Sequence, residues 1–151
     1  DARFGKGSST VICPITDRFG AHHGALGGFV RVYCHGSLAP EDVIRVVRSL
    51  PGVEAVYDKP TAARVFELPL DREGDVVVVS RTDTCIGAAE ADHDLSGLKG
   101  HRLRTHGGIS ERKVPFIINR PLRPEYAATA AAGTLRSYQI FDFAINGVDP
   151  A

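Results

Sequence analysis

Gly74-Asp75-Val76-Val77-Val78-Val79-Ser80 is the run whose reading decides the fold. Four consecutive valines show no alternation, which is the pattern of a strand in a parallel sheet covered by helices on both faces. Upstream the pattern is shorter and alternating. Thr10-Val11-Ile12-Cys13 is a β-rich run broken by Pro14, and Gly28-Phe29-Val30-Arg31-Val32-Tyr33-Cys34 is a strand with apolar residues at every second position. Pro40-Glu41-Asp42 places proline and acids in the first turn of a helix, with Val43, Val46, Val47 and Leu50 at helical spacing, before Pro51-Gly52 ends it. Val53 to Tyr57 reads as another strand, and Asp58-Lys59-Pro60 starts a second short helix carrying Ala62, Ala63, Val65 and Phe66. Strand, strand, helix, strand, helix spells a small α+β lobe. Downstream of the valine run, Val114 to Asn119 reads as a second buried strand. Glu125 to Ala132 reads as an alanine-rich helix start, and Ser137 to Ile145 as a terminal helix packing on the sheet. The expected division is 1–72 for the α+β lobe and 73–151 for part of an α/β core.

Composition narrows the function. The 151 residues carry 18 basic and 18 acidic side chains, so no net charge draws the chain to nucleic acid or an acidic membrane surface. No apolar stretch approaches the roughly 20 residues needed to span a bilayer. Cys13, Cys34 and Cys85 are an odd count, far apart and without a Cys-x-x-Cys pair, which fits buried thiols in a reducing, cytoplasmic setting rather than a disulfide frame. The chain opens on Asp1 rather than methionine and reads as a piece of something longer.

Between the two apolar runs lies a long stretch rich in Gly, Asp and His, from Thr82 to Gly108. A connection of that length in a compact domain is usually functional or disordered. It closes on Arg104-Thr105-His106-Gly107-Gly108-Ile109-Ser110-Glu111. A histidine followed by two glycines sits on a sharp turn with its imidazole uncrowded. Such a ring either hydrogen-bonds a nearby carbonyl or ligates a metal. One histidine does not make a metal site, so its partner ligands must be sought elsewhere.

Several stretches in order supply a resemblance. They are Ile12-Cys13-Pro14-Ile15-Thr16-Asp17, His22-His23-Gly24-Ala25-Leu26-Gly27, Gly74-Asp75-Val76-Val77-Val78, His93-Asp94-Leu95-Ser96-Gly97-Leu98 and Leu103-Arg104-Thr105-His106-Gly107-Gly108. Together they resemble the phosphonoacetate hydrolases of the alkaline phosphatase superfamily, close to the nucleotide pyrophosphatase/phosphodiesterases. The resemblance implies the C-terminal portion of such an enzyme: part of an inserted α+β cap lobe over residues 1–72, and the closing strands and helices of an alkaline-phosphatase-like α/β/α core over 73–151. It also implies hydrolysis of the C–P bond of phosphonoacetate to acetate and phosphate, with two zinc ions and a threonine nucleophile. In that family the nucleophile and most metal ligands precede the cap, and one histidine ligand follows it. His106 matches that histidine, so no catalytic nucleophile is expected in this chain.

His22 and His23 stand in a Gly/Ala-rich turn. They are either solvated or, by their place in the cap, hydrogen-bond donors to the substrate's carboxylate or phosphonate. The resemblance would put a cationic side chain there, and a neutral His22 weakens the expectation of strict phosphonoacetate specificity. Asp92-His93-Asp94 has the composition of a metal site. In family order, however, it matches a closing turn, with Asp94 or Ser96 bonding backbone N–H groups. His35 and His101 read as solvated, and Arg102, Arg104 and Arg112 as surface or carboxylate-paired, with anion binding by one of them as the alternative. Two other readings remain open: a related phosphodiesterase or phosphomutase-like enzyme acting on another small phosphoryl substrate, and a non-catalytic α+β module that binds a small anion. Self-association, or association with a missing N-terminal segment, is expected of an incomplete sheet.

Overall fold

The computed structural model describes residues 3–13, 26–87, 90–94, 96, 100 and 106–149. Within them the chain forms two compact units, Asp1–Arg112 and Lys113–Ala151.

The first unit is built on one sheet. Its strands are β1 (Ser9–Ile12), β2 (Phe29–Cys34), β3 (Val53–Asp58) and β4 (Val76–Ser80), and its helices are α1 (Pro40–Val47) and α2 (Lys59–Phe66). The strand order is β1-β2-β4-β3, and every pairing is antiparallel. The valine strand β4 is therefore central, with Val30 opposite Val78 and Val56 opposite the same residue from the other side. Both its faces are buried as its sequence implies. Val76 and Val78 pack with Val30, Val32, Val56 and Val43 of α1, whereas Val77 and Val79 pack with Ala62 of α2 and the half-buried Phe29, Tyr57 and Phe66.

One expectation needs correction here. The sheet is antiparallel rather than parallel, because loss of alternation reports cover on both faces and not strand direction. β4 falls in the first compact unit because it is hydrogen-bonded to both β2 and β3 and completes the sheet they belong to.

Local chemistry explains the helices. Asp58 stands at the N-cap of α2 and accepts a hydrogen bond from the Thr61 amide at 2.8 Å. The helix ends on Glu67 in the left-handed conformation, with φ of 56°. Helix α1 has Pro40, Glu41 and Asp42 in its first turn and buries Val43 against the sheet. At the end of the linker into β4, the carboxylate of Glu73 is buried. Its Oε1 accepts from Arg31 Nε at 2.5 Å and from the Gly74 amide at 2.9 Å.

The second unit holds α3 (Pro124–Ala131) and α4 (Ile140–Asn146) around Phe143, which meets Phe116 and Tyr126 edge-on at 5.2 and 5.0 Å. Gly147 is required here, because a Cβ at that position would come within 2.6 Å of the Tyr126 ring. The run Val114 to Asn119 is not a strand. It makes no ladder, and Val114 and Ile117 are exposed. No described helix is long and apolar enough to cross a membrane.

Candidate functional site

His106 leads the turn that carries the candidate chemistry. Its ring is exposed and takes no hydrogen bond among the described residues, while its backbone is firmly held. The His106 carbonyl accepts from the Gly28 amide at 2.9 Å, where β2 begins. The amides of Gly107 and Gly108 both donate to Glu111 Oε2, at 2.5 and 3.2 Å. Gly107 has φ of +102°, which an L side chain rarely adopts, and this turn brings successive N–H groups onto one carboxylate.

The loop is also anchored to α2. Ile109 packs against the cluster of Ala62, Val77 and Val79. Arg112 donates to the Val65 carbonyl at 3.3 Å, and its guanidinium lies 5.9 Å from the Phe66 ring centre. Arg112 is thus an exposed residue, as expected of a surface side chain, bound to backbone and an aromatic ring.

Gly28, Ser80, Arg81, Thr84, His106 and Glu111 are among the residues lining a recess of about 20 Å³. That is room for a single water molecule.

Other sequence-derived candidates fall elsewhere. His22 and His23 lie outside the described residues, as do His101, Arg102 and Arg104. Asp94 Oδ1 accepts from the Ser96 amide at 3.0 Å, the closing turn expected of that segment. His35 is exposed but not simply solvated, since its Nε2 lies 2.7 Å from the Thr10 hydroxyl. No disulfide joins Cys13, Cys34 or Cys85. Burial, then the carboxylates of Asp75 and Glu41, push the Cys34 thiol above its ordinary pKa, which keeps it protonated and poorly nucleophilic. Among the described residues no group of three or more His, Cys, Asp or Glu could hold a metal ion. The exposed imidazole of His106 could offer a metal one donor.

Glu111 and Gly28 had no assigned role in the sequence reading. The signal for Glu111 was present as an acid three residues after the residue that starts a helical turn, the spacing of a carboxylate that reaches back to the turn's first amides. Nothing local marks Gly28, whose partner is far along the chain.

Comparison with known proteins bears on the chain as a whole. No family model matches the chain. Phosphonoacetate hydrolase from Sinorhizobium meliloti 1021, in complex with phosphonoformate, superposes with a TM-score of 0.74 and 36% identity, covering 97% of this chain and 34% of that one. Along nearly its whole length the chain is similar to part of phosphonoacetate hydrolase. The complex of the same Sinorhizobium enzyme with phosphonoacetate gives a TM-score of 0.68 and 33% identity, over 95% of this chain and 34% of that one. Phosphonoacetate hydrolase from Penicillium oxalicum is 52% identical over 29 residues, which is 19% of this chain and 40% of that protein. The fold is accordingly a portion of an alkaline-phosphatase-like α/β protein, and the relatives it is similar to are named hydrolases. The chain spans about a third of the length of the solved phosphonoacetate hydrolase.

Proposed function

We propose that this chain is the C-terminal portion of a zinc-dependent phosphonoacetate hydrolase, to which it contributes His106 as one metal ligand and His22 and His23 as substrate contacts. The observation that carries the reading is likeness at 33% identity, along 95% of the chain, to an enzyme solved with phosphonoacetate bound. The reaction adds water across the C–P bond, so that phosphate takes the hydroxyl and the acetate carbon takes a proton. Zinc, when bound, stabilises charge developing on the phosphoryl oxygens.

The contributions of this chain are orientation and recognition. The held backbone of His106 fixes the origin of an imidazole that remains open to a ligand. The Gly28 amide, five residues after His23 in the sequence, binds the His106 carbonyl. The threonine nucleophile and the remaining metal ligands belong to the two thirds of the enzyme this chain does not span.

The test is phosphate release from phosphonoacetate. The parent enzyme is expected to turn over with zinc and to lose activity with chelator, whereas residues 1–151 alone are expected to release none even with zinc added. His106→Ala in the parent is expected to lose one zinc and to reduce turnover by orders of magnitude. His23→Ala is expected mainly to raise KM. Zinc-dependent turnover by the isolated chain, or full zinc content in His106→Ala, would overturn the reading.

A further inference from the structure

The reading of His106 as a metal ligand leaves the best-held carboxylate beside it unused. We propose that Glu111 is the positioning residue of this loop: by holding the peptide unit that follows the His106 Cα, it sets the direction in which the imidazole is presented. The inference rests on the reading of His106 given above.

The geometry concerns one peptide plane. The unit joining His106 to Gly107 contains the His106 carbonyl, the Gly107 N–H and both Cα atoms, and its six atoms move together. Its carbonyl accepts from the Gly28 amide at 2.9 Å, and its N–H donates to Glu111 Oε2 at 2.5 Å. Both polar groups of the plane are therefore engaged, on opposite sides. The His106 Cα, from which the ring projects, cannot swing without breaking one of these bonds. Glycine at 107 removes the steric restraint a side chain would supply, so this turn depends on its hydrogen bonds for its shape.

Glu111 is itself fixed by the fold. Ile109 before it packs into the apolar cluster on the α2 face of the sheet, and Arg112 after it is bonded to the Val65 carbonyl. The carboxylate passes that rigidity to His106 through two charge-assisted bonds, to the amides of Gly107 and Gly108. Glu111 does not touch the ring, so its role is positioning rather than catalysis.

The test uses the full-length parent enzyme, stripped of metal and titrated with zinc. Glu111→Ala is expected to weaken zinc binding by about 10–100-fold, the usual effect of losing a group that orients a ligand. KM for phosphonoacetate should stay near the wild-type value while kcat falls. Glu111→Gln keeps an acceptor oxygen and should restore affinity to within a few-fold, and the visible spectrum of the cobalt-substituted enzyme should follow the same order. Wild-type zinc affinity and an unchanged cobalt spectrum in Glu111→Ala would overturn the proposal. Should that variant not fold, Glu111→Asp takes its place. It keeps the charge but is one methylene too short, and wild-type affinity there would overturn the proposal equally. His106→Ala separates the two claims. If it leaves zinc affinity unchanged, the ligand reading falls and Glu111 with it. If it loses affinity while Glu111→Ala does not, only the role of Glu111 falls.

Discussion

The amide of Gly28 donates to the carbonyl of His106 at 2.9 Å, and a Cβ at Gly28 would stand 2.7 Å from the backbone nitrogen of Gly108. Two segments far apart in sequence therefore meet backbone to backbone, with no room for a side chain. Gly28→Ala must push the loop away, because the obstructing atom is main chain and not the tip of a flexible side chain. The expected cost is about 1–3 kcal/mol, typical of overpacking. Thermal or urea unfolding checks this, with metal affinity falling in parallel. A variant as stable as the parent, with unchanged metal binding, would show that this approach does not constrain the loop.

Glu73 is buried against Arg31, whose own side chain is 21% exposed. Glu73→Ala leaves the Arg31 guanidinium without its carboxylate and the Gly74 amide without its acceptor. Breaking a buried pair from one side costs about 3 kcal/mol or more. Replacing both partners by leucine should recover much of that loss, since one Glu73 oxygen already has no hydrogen-bond partner among the described residues. A double-mutant cycle in urea measures the coupling. A coupling near zero would mean that the pair holds nothing together.

The N-cap of α2 gives a pH dependence of known sign. Hydrogen bonds from the Thr61 hydroxyl and amide, with a smaller contribution from the Arg64 charge, hold the Asp58 carboxyl below its ordinary pKa. A group with a depressed folded pKa stabilises the fold above its unfolded value, about 3.9 for aspartate, and loses that contribution as pH falls toward the folded value. Asp58→Ala is expected to cost about 1 kcal/mol at neutral pH, as loss of a cap does. The difference between the two proteins should shrink once the pH drops below the ordinary aspartate range. Unfolding midpoints collected from pH 7 down to pH 3 decide it, and a gap that widens in acid contradicts the assignment.

The unit Lys113–Ala151 exposes Val114, Ile117, Tyr138, Phe141 and Ile145, with Ile117 at 81% and Ile145 at 76%. Where such side chains lie contiguous, they associate with other protein. Prepared alone, residues 1–151 are expected to self-associate or to bind a hydrophobic dye through this unit. Phe141→Ser with Ile145→Ser should reduce both. Light scattering that shows a dye-excluding monomer at high concentration would remove the argument.

Much of the first unit was legible in sequence because its signals are local. Pro40 with Glu41 and Asp42, and Asp58 with Pro60, mark helix starts through interactions within one turn, and both helices begin there. The alternation from Phe29 to Cys34 marks a strand covered unequally on its two faces, and β2 occupies it. The sharp turn after His106 was legible too, because glycine at 107 takes the left-handed φ that a side chain disfavours.

What the tertiary structure alone decided is pairing. Four valines in a row report burial on both faces, but the direction of β4, and its place between β2 and β3, depend on partners that the run does not contain. Val114 to Asn119 has the same apolar character and makes no ladder, because a strand exists only where another strand offers hydrogen bonds. The Arg31–Glu73 pair and the Gly28–His106 bond join residues distant in sequence, and no periodicity encodes them. Periodicity and turn chemistry are properties of a few neighbouring residues, so the chain determined where its elements begin and which faces they bury. Contact between distant segments depends on how those faces fit together, so the setting of His106 was decided only when the sheet and its loops had assembled.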